Sequence, residues 1–272
     1  MQDPAPMIKG LPLCARCLAL TGTLETSRRV PFCYSAVAGG FDGQGISFGA
    51  CQWNLGQGTL QSLLRLVERE TPETIDNTFG DLAHSVRAML KWTKPLQLAW
   101  AETIQGSSHA LDVVWRTAFG AFGATQECQR AQVVLAKTLY YEKAIALCEM
   151  MQVWSERAVA LMFDIKAQNG SLDQRSIRAI RAGYDRLPED PGEPEGEAAR
   201  LLVIADVVAR QAPPQYQGEV RNRKRTIARG EGMVRQIPFH VEVQFGIRLV
   251  GYASNGSHVV QRTPLEQRGD RA

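Results

Sequence analysis

Leucine, valine and alanine recur at helical spacing over most of the chain. After the turn "LGQGT", in which Thr59 is placed to cap a helix, Leu60, Leu63, Leu64 and Val67 follow at such spacing. This puts the apolar side chains on one helix face, which can then be buried. The same periodicity predicts helices over 11–26, 75–93, 94–105, 108–119, 126–152, 154–168, 171–184, 196–212 and 215–229. The chain is therefore expected to be mainly α.

Residues 30 to 53 break this pattern. Two short runs with alternating apolar and polar residues, "PFCYSAV" and "ISFGACQW", flank the glycine-rich segment "AGGFDGQG". Glycines around an aspartate between two strand-like runs indicate a β-hairpin. A small hairpin or sheet is therefore expected within the helical fold.

Three segments in the second half of the chain also carry local signals. Ser171 and Gln174 have the spacing of a capping box at the start of a helix. The Pro-, Gly- and acid-rich stretch "LPEDPGEPEGE", residues 187 to 197, is typical of a loop. Residues 237 to 250 fit either a strand or a helix, and a helix is favoured.

The composition is that of an ordinary globular protein. The chain has 272 residues, of which 44% are hydrophobic and 22% charged. A net charge of +3 is too small to indicate a nucleic-acid binder. No apolar run is long enough for a membrane span, and no secretory signal pattern is visible. A basic run near the C-terminus is interpreted as a solvated helix face; it comprises Arg221, Arg223, Lys224, Arg225 and Arg229.

Cys14 and Cys17 form a C-x-x-C pair that raises the question of zinc or redox chemistry. The other four cysteines supply no second pair, and no histidine lies at zinc-finger spacing. Both residues fit an apolar helix, so buried thiols or an incidental disulfide are the default interpretation.

Two carboxylates, Glu25 and Asp42, carry the strongest chemical signal. Glu25 lies near the end of the first predicted helix, and Asp42 lies in the glycine-rich hairpin. Hydrolysis of a glycosidic bond uses one protonated carboxyl group, which donates to the leaving oxygen, and one carboxylate, which activates water or stabilises the cationic sugar. The two groups flank opposite sides of the ring and must come from different elements. Ser47, close to Asp42 in sequence, is placed to share a water molecule with it.

At these residues the chain resembles the chitosanase branch of the lysozyme superfamily and related peptidoglycan hydrolases from phages and secretion systems. That family has a catalytic Glu followed by a small polar residue, a short gap, the motif Asp-Gly-x-Gly-aromatic-Thr, and a glycine-rich turn leading into a helix. Here "LETS" contains Glu25, "DGQGIS" contains Asp42 and Ser47, and "NLGQGTL" contains the turn. The strong match covers residues 20 to 66.

The resemblance implies a two-lobed, lysozyme-like catalytic domain over residues 1–253. A small lobe with the hairpin would cover 27–58, a large helical lobe 59–253, and a polar tail 254–272. The implied roles are Glu25 as general acid, Asp42 as general base and Ser47 as the residue that positions water, with inversion at the anomeric carbon. No cofactor or metal is implied.

A weaker match covers residues 163–170 and 223–232, and it implies a buried Asp–Arg network that holds the catalytic Glu. Asp164 and Arg225 are the expected members of that network. Aromatic faces stack on sugars and amides bind hydroxyl groups, although Trp53 fits a core position equally well. The substrate-binding candidates are Tyr34, Gln44, Gln52, Trp53, Asn54, Gln168 and Asn169.

Two departures from the chitosanase motif bear on the substrate. Ile46 stands where an aromatic residue is usual, and Ser47 replaces the threonine. Because "QWNLGQGTLQ" is more similar to phage and effector muramidases, the expected function is hydrolysis of β-1,4 bonds in peptidoglycan. A chitosanase acting on glucosamine polymers is the alternative. The expected partners are peptidoglycan strands and an immunity or inhibitor protein, and the expected site of action is the periplasm or cell wall, reached through a secretion system or phage lysis.

Two other classes of protein stay open at this point. "GISFG", residues 45 to 49, matches the G-x-S-x-G nucleophile elbow of serine hydrolases, but that motif needs a helix directly after the serine. A catalytically inactive wall-binding module is the second class, and the intact Glu–Asp pair argues against it.

Overall fold

The computed structural model describes residues 8–188 and 195–251, and it is mainly helical, as predicted. The α-helices are α1 (Leu13–Thr26), α2 (Thr59–Glu70), α3 (Pro72–Phe79), α4 (Ala83–Met89), α5 (Lys94–Thr103), α6 (Val113–Ala124), α7 (Gln126–Ala136), α8 (Glu142–Met151), α9 (Glu156–Asn169), α10 (Gln174–Tyr184), α11 (Glu195–Gln211), α12 (Gln217–Arg229) and α13 (Val241–Phe245). A π-helical turn, Lys137–Tyr141, connects α7 to α8. In this described part of the chain, no helix is both long and apolar enough to cross a bilayer.

Two small antiparallel sheets complete the fold of the described residues. The first contains β1 (Val37–Ala38), β2 (Ser47–Phe48) and β3 (Trp53–Asn54), paired in that order. Its central strand β2 pairs with both neighbours, so the predicted hairpin forms part of a three-stranded sheet. The second is the hairpin of β4 (Glu231–Val234) and β5 (Ile237–His240).

Aromatic packing joins the first sheet to the helices. Phe48 on β2 lies with its ring centroid 5.4 Å from that of Phe119 and 5.7 Å from that of Phe122, both on α6. Phe79 on α3 contacts the same two rings. Because these side chains are fully or almost fully buried, they supply the apolar area that stabilises the attachment of so short a sheet.

Gly22 brings the last turn of α1 against the segment between β2 and β3. A Cβ atom at Gly22 would lie 2.7 Å from the Cβ of Ala50 and 3.3 Å from the Sγ of Cys33. Any larger side chain would push the helix away from the sheet. Helix α1 continues through Gly22 to Thr26.

Several local predictions differ from the structure. Thr59 is the first residue of α2 and not its cap, and its Oγ1 accepts a hydrogen bond from the Asn54 backbone N–H. Asp173 caps α10 in place of Ser171, since its side chain accepts from the Ser176 N–H at 2.7 Å. Residues 237–250 begin with a strand, and only five of them form helix α13. The loop expected over 187–197 lies largely, and the tail from 254 wholly, outside the described residues.

Candidate active site

Glu25 lies in the last turn of α1, where Ser27 in the left-handed conformation ends the helix. Its side chain is 32% exposed, so it reaches solvent from an otherwise buried helix end. One carboxylate oxygen, Oε2, accepts a hydrogen bond of 2.6 Å from Nη1 of Arg223 on α12. A carboxylate held by a guanidinium in this way has a fixed direction.

Arg223 belongs to a buried ionic cluster, in which it binds Asp164 of α9. Its Nη2 donates to Asp164 Oδ1 at 2.8 Å and its Nε to Oδ2 at 3.1 Å. Lys224 donates to the same Oδ2 at 2.6 Å, and Thr21 of α1 donates to Oδ1 at 3.1 Å. The side chains of Asp164, Arg223 and Lys224 are at most 1% exposed. The cluster therefore connects α1, α9 and α12 behind Glu25.

The charges in this cluster are unequal, because two cations share the carboxylate of Asp164. Burial alone would raise the pKa of Asp164, but Arg223 and Lys224 outweigh it and hold that pKa well below its usual range. Lys224 shares the carboxylate of Asp164 with Arg223, and burial lowers the pKa of Lys224 to about 8. Asp164 is thus firmly ionised, and it fixes the guanidinium that in turn holds Glu25.

The supporting cation is Arg223, and the expectation of Arg225 was wrong. Arg225 pairs with Asp206 on α11, with two hydrogen bonds of 2.6 Å, and is 36% exposed. The interpretation of the basic run as a solvated face was likewise wrong for Arg223 and Lys224. The signal for these two was available: Val220, Arg223, Lys224 and Ile227 stand at i, i+3, i+4 and i+7 and are all buried. They therefore share one inward helix face.

A further contact to Glu25, made by Arg235, was not predicted. Arg235 lies in the turn between β4 and β5, and its Nη1 donates to the Glu25 carbonyl at 3.1 Å. Its guanidinium also pairs with Glu219 on α12. The second hairpin thus supplies a donor to one of the last carbonyl groups of α1.

Asp42 lies in the exposed glycine-rich loop between β1 and β2. Its Oδ1 accepts a hydrogen bond of 3.0 Å from the Gln44 N–H, which shapes the turn. Asp42 and Gln44 are both exposed. Ser47, on β2, is half-buried, and its Oγ accepts from the Asn54 side chain at 3.0 Å.

Two aromatic candidates for sugar binding are core residues. Trp53 is fully buried; its ring stacks on Tyr140 at 5.7 Å and its Nε1 donates to Gln132 at 3.2 Å. Tyr34 is 5% exposed, and its carbonyl accepts from the same Gln132 side chain. Because neither ring offers a free face, the expectation that they stack on sugar does not fit their positions. Sequence could not separate these alternatives, since a core and a cleft both favour aromatic residues.

The amide candidates fall into different environments. Asn54 is 6% exposed; its side chain donates to the Ser47 hydroxyl and accepts from the Gln57 N–H. This buried, hydrogen-bonded position also does not suit sugar binding. Gln52 donates to the Gly49 carbonyl from a left-handed backbone position. Gln168 accepts from Lys224 at 2.8 Å and, like Asn169, is exposed at the end of α9. Gln168 is therefore the amide candidate that contacts the ionic cluster directly.

The serine-nucleophile and metal interpretations gain no support from the described residues. Ser47 is followed by a turn and β3, whereas a nucleophile elbow leads directly into a helix. Cys14 and Cys17 are buried free thiols. Within 8–188 and 195–251, no group of three or more His, Cys, Asp or Glu side chains is arranged to hold a metal ion.

Comparison with solved structures identifies the fold. A chitosanase in a complex superposes with a TM-score of 0.53 and 17% identity, covering 83% of this chain and 94% of that one. The native chitosanase of Bacillus subtilis gives 0.52 and 17%, covering 81% and 89%. The GH46 chitosanase of Gynuella sunshinyii, bound to chitotetraose, gives 0.54 and 12%, covering 84% and 96%.

The chain has the lysozyme-like fold of the chitosanases. The expected fold class and the resemblance seen in the sequence are confirmed at this level. No family model and no curated protein sequence matches the chain. The chitosanase-like fold spans nearly all of these structures, so the similarity is not confined to the residues around Glu25 and Asp42.

Proposed function

We propose that this protein is a glycoside hydrolase that cleaves β-1,4 bonds in a glucosamine-containing polymer. The observation that carries the proposal is the Glu25 carboxylate, which is partly exposed and held at 2.6 Å by Arg223, itself fixed by the buried Asp164. Burying a cation is unfavourable unless it is paired. A buried Arg223 whose guanidinium binds a partly exposed glutamate therefore supports a functional role for that carboxylate. The chitosanase-like fold supports the same function.

In the proposed reaction Glu25, in its protonated form, donates its proton to the glycosidic oxygen, and the bond between that oxygen and the anomeric carbon breaks. A water molecule attacks the anomeric carbon and gives its proton to Asp42. Ser47 is the proposed residue that positions this water. Attack from the face opposite the leaving group inverts the anomeric configuration, which NMR of the first products would report.

Glucosamine polymers are the first substrate to test. The solved structures of this fold are named as chitosanases, one of them in complex with six glucosamine units. Glucosamine oligomers are polycations, so their binding would depend on ionised acids at the site and weaken with salt.

Peptidoglycan is the second candidate, and one observation favours it. Arg28 and Arg29 follow Glu25 almost directly and are both exposed. Arg235, which binds the Glu25 carbonyl, adds a third guanidinium. Such a basic surface attracts the carboxylates of peptidoglycan and repels a polycation. If peptidoglycan is the substrate, the proposed site of action is the bacterial cell wall.

The test incubates the protein with chitosan, with N-acetylglucosamine hexamer and with purified peptidoglycan, and identifies the products by mass spectrometry. Glu25→Gln should lower turnover by at least about 100-fold, because general acid catalysis contributes that much. Asp42→Asn should do the same. Glu149→Gln, which removes an exposed carboxylate on α8, away from the ionic cluster, is the control and should retain most activity.

The substrates give separate answers. Chitosan cleavage favours the first candidate, and muropeptide release favours the second. If Glu25→Gln cleaves any substrate as fast as wild type, the acid assignment is wrong. If wild type releases nothing from all three substrates, the proposed function fails.

A further inference from the structure

Phe41 is the most exposed large hydrophobic side chain of the described residues. It is 71% exposed, although it stands beside Asp42 in the same loop. A phenylalanine ring that faces water forgoes the stabilisation that burial would give. The two aromatic residues proposed from the sequence to bind sugar, Tyr34 and Trp53, are buried, so neither leaves a face for a saccharide.

The backbone at Phe41 is held by the loop between α5 and α6. Gln105 accepts a hydrogen bond of 2.6 Å from the Gly40 N–H. A Cβ atom at Gly39 would overlap the carbonyl of His109, so only glycine permits this approach. The loop is itself closed by a bridge between Gln105 and Leu111. Phe41 therefore extends from a braced backbone.

His109 also contacts the ring of Phe41. The two centroids are 6.1 Å apart at an interplanar angle of 60°, an edge-on arrangement. The backbone of His109 is left-handed, with φ of 55°. Residues other than glycine seldom adopt this backbone conformation unless their surroundings impose it. Because the Phe41 side chain is 71% exposed, this contact leaves most of its ring surface open.

We propose that Phe41 is a stacking platform for a sugar ring bound next to Asp42. The inference rests on the proposed function, because it adds a substrate-binding residue to that site. The apolar face of a pyranose ring covers an aromatic ring without requiring a particular substituent. Phe41 therefore contributes to affinity for either candidate polymer. His109 is a positioning residue that restricts the orientation of the Phe41 ring.

The effect expected from removing the platform is a loss of binding. Truncation of a stacked aromatic ring should raise KM by about 10- to 100-fold, the equivalent of burying one such side chain. Stacking that is equal in the ground and transition states leaves kcat within about threefold of wild type. Phe41→Tyr keeps the ring and should restore KM to within about threefold.

The experiment measures KM and kcat of wild type, Phe41→Ala and Phe41→Tyr on glucosamine hexamer and N-acetylglucosamine hexamer. The same hexamers are titrated by calorimetry into Glu25→Gln with and without Phe41→Ala. The control is Trp154→Ala, which removes an aromatic side chain that is 46% exposed and precedes α9. His109→Gly suits the left-handed backbone, removes the ring, and should raise KM less than Phe41→Ala.

The outcomes separate this inference from the proposed function. If wild type cleaves a hexamer but Phe41→Ala has an unchanged KM, the platform is refuted and the hydrolase assignment stands. If neither a hexamer nor chitosan nor peptidoglycan is cleaved but a hexamer binds, and binding weakens in Phe41→Ala and not in Trp154→Ala, the platform is supported while the hydrolase assignment fails. A Phe41→Ala defect in kcat alone, not restored by Phe41→Tyr, also overturns the platform.

Discussion

Replacing Arg223 with methionine tests the buried cluster most directly. The change keeps much of the side chain's length and removes the cation that joins Glu25 to Asp164. Both Arg223 and Asp164 are at most 1% exposed, and three hydrogen bonds between them are lost. Lys224 would be the cation still paired with Asp164, at 2.6 Å.

The expected loss of stability follows from burial. Removing one partner of a buried ion pair costs about 3 to 5 kcal/mol, because the other charge is left uncompensated. Lys224 compensates in part, so we expect the lower end, about 3 kcal/mol. The bond to Glu25 adds little, since that carboxylate is 32% exposed and screened by water. A loss of about 3 kcal/mol corresponds to a fall in Tm of roughly 5 to 10 °C for a chain of this size.

Arg225→Met is the matched control, with the same substitution two residues along the same helix. Arg225 and Asp206 are 36% and 25% exposed, and such a pair contributes at most about 1 kcal/mol. Urea denaturation followed by far-UV circular dichroism gives both free energies of unfolding. Equal losses in the two variants would refute the reasoning, because burial would then not distinguish the two pairs.

Three further predictions concern charge, packing and the core. Burial lowers the pKa of Lys224 from 10.5 to about 8, so the unfolded chain binds more protons between these values. Wild-type stability relative to Lys224→Met should therefore rise with pH across that window, by up to about 1.4 kcal/mol per unit; a falling difference in urea titrations would contradict this sign. Gly22→Ala should destabilise by about 1 to 3 kcal/mol, because its methyl group would meet Ala50 at 2.7 Å. Gly120→Ala, in open space within α6, should instead stabilise by about 0.5 to 1 kcal/mol in the same assay, and two changes of equal sign would refute the packing argument. Trp53→Ala should cost about 3 to 5 kcal/mol with KM unchanged; unchanged stability with a raised KM would return this residue to the sugar-binding site.

The helices and the hairpin were predictable because their signals are local. The spacing of Leu60, Leu63 and Leu64 reports one helix face, and the glycines around Asp42 report a turn, whatever the rest of the chain does. Local signals did not decide the secondary structure where the same residues fit both a strand and a helix. Residues 237–250 carry an apolar pattern that both strands and helices accept, and the pairing of β5 with β4 decided between them.

The amino-acid sequence accounts for the helical architecture and, through the carboxylate pattern and the resemblance to the chitosanase branch, for the choice of Glu25, Asp42 and Asp164. An acid on a buried helix, such as Asp164, needs a cationic partner. Which cation pairs with Asp164 depends on how the helices pack. Arg223 and Arg225 differ by about 200° around α12, so the rotation of that helix against α9 selects one and leaves the other facing Asp206. The tertiary structure likewise placed Trp53 in the core and Phe41 at the surface. An aromatic residue has the same chemistry in either place, and only the neighbours that pack around it decide whether its face is covered.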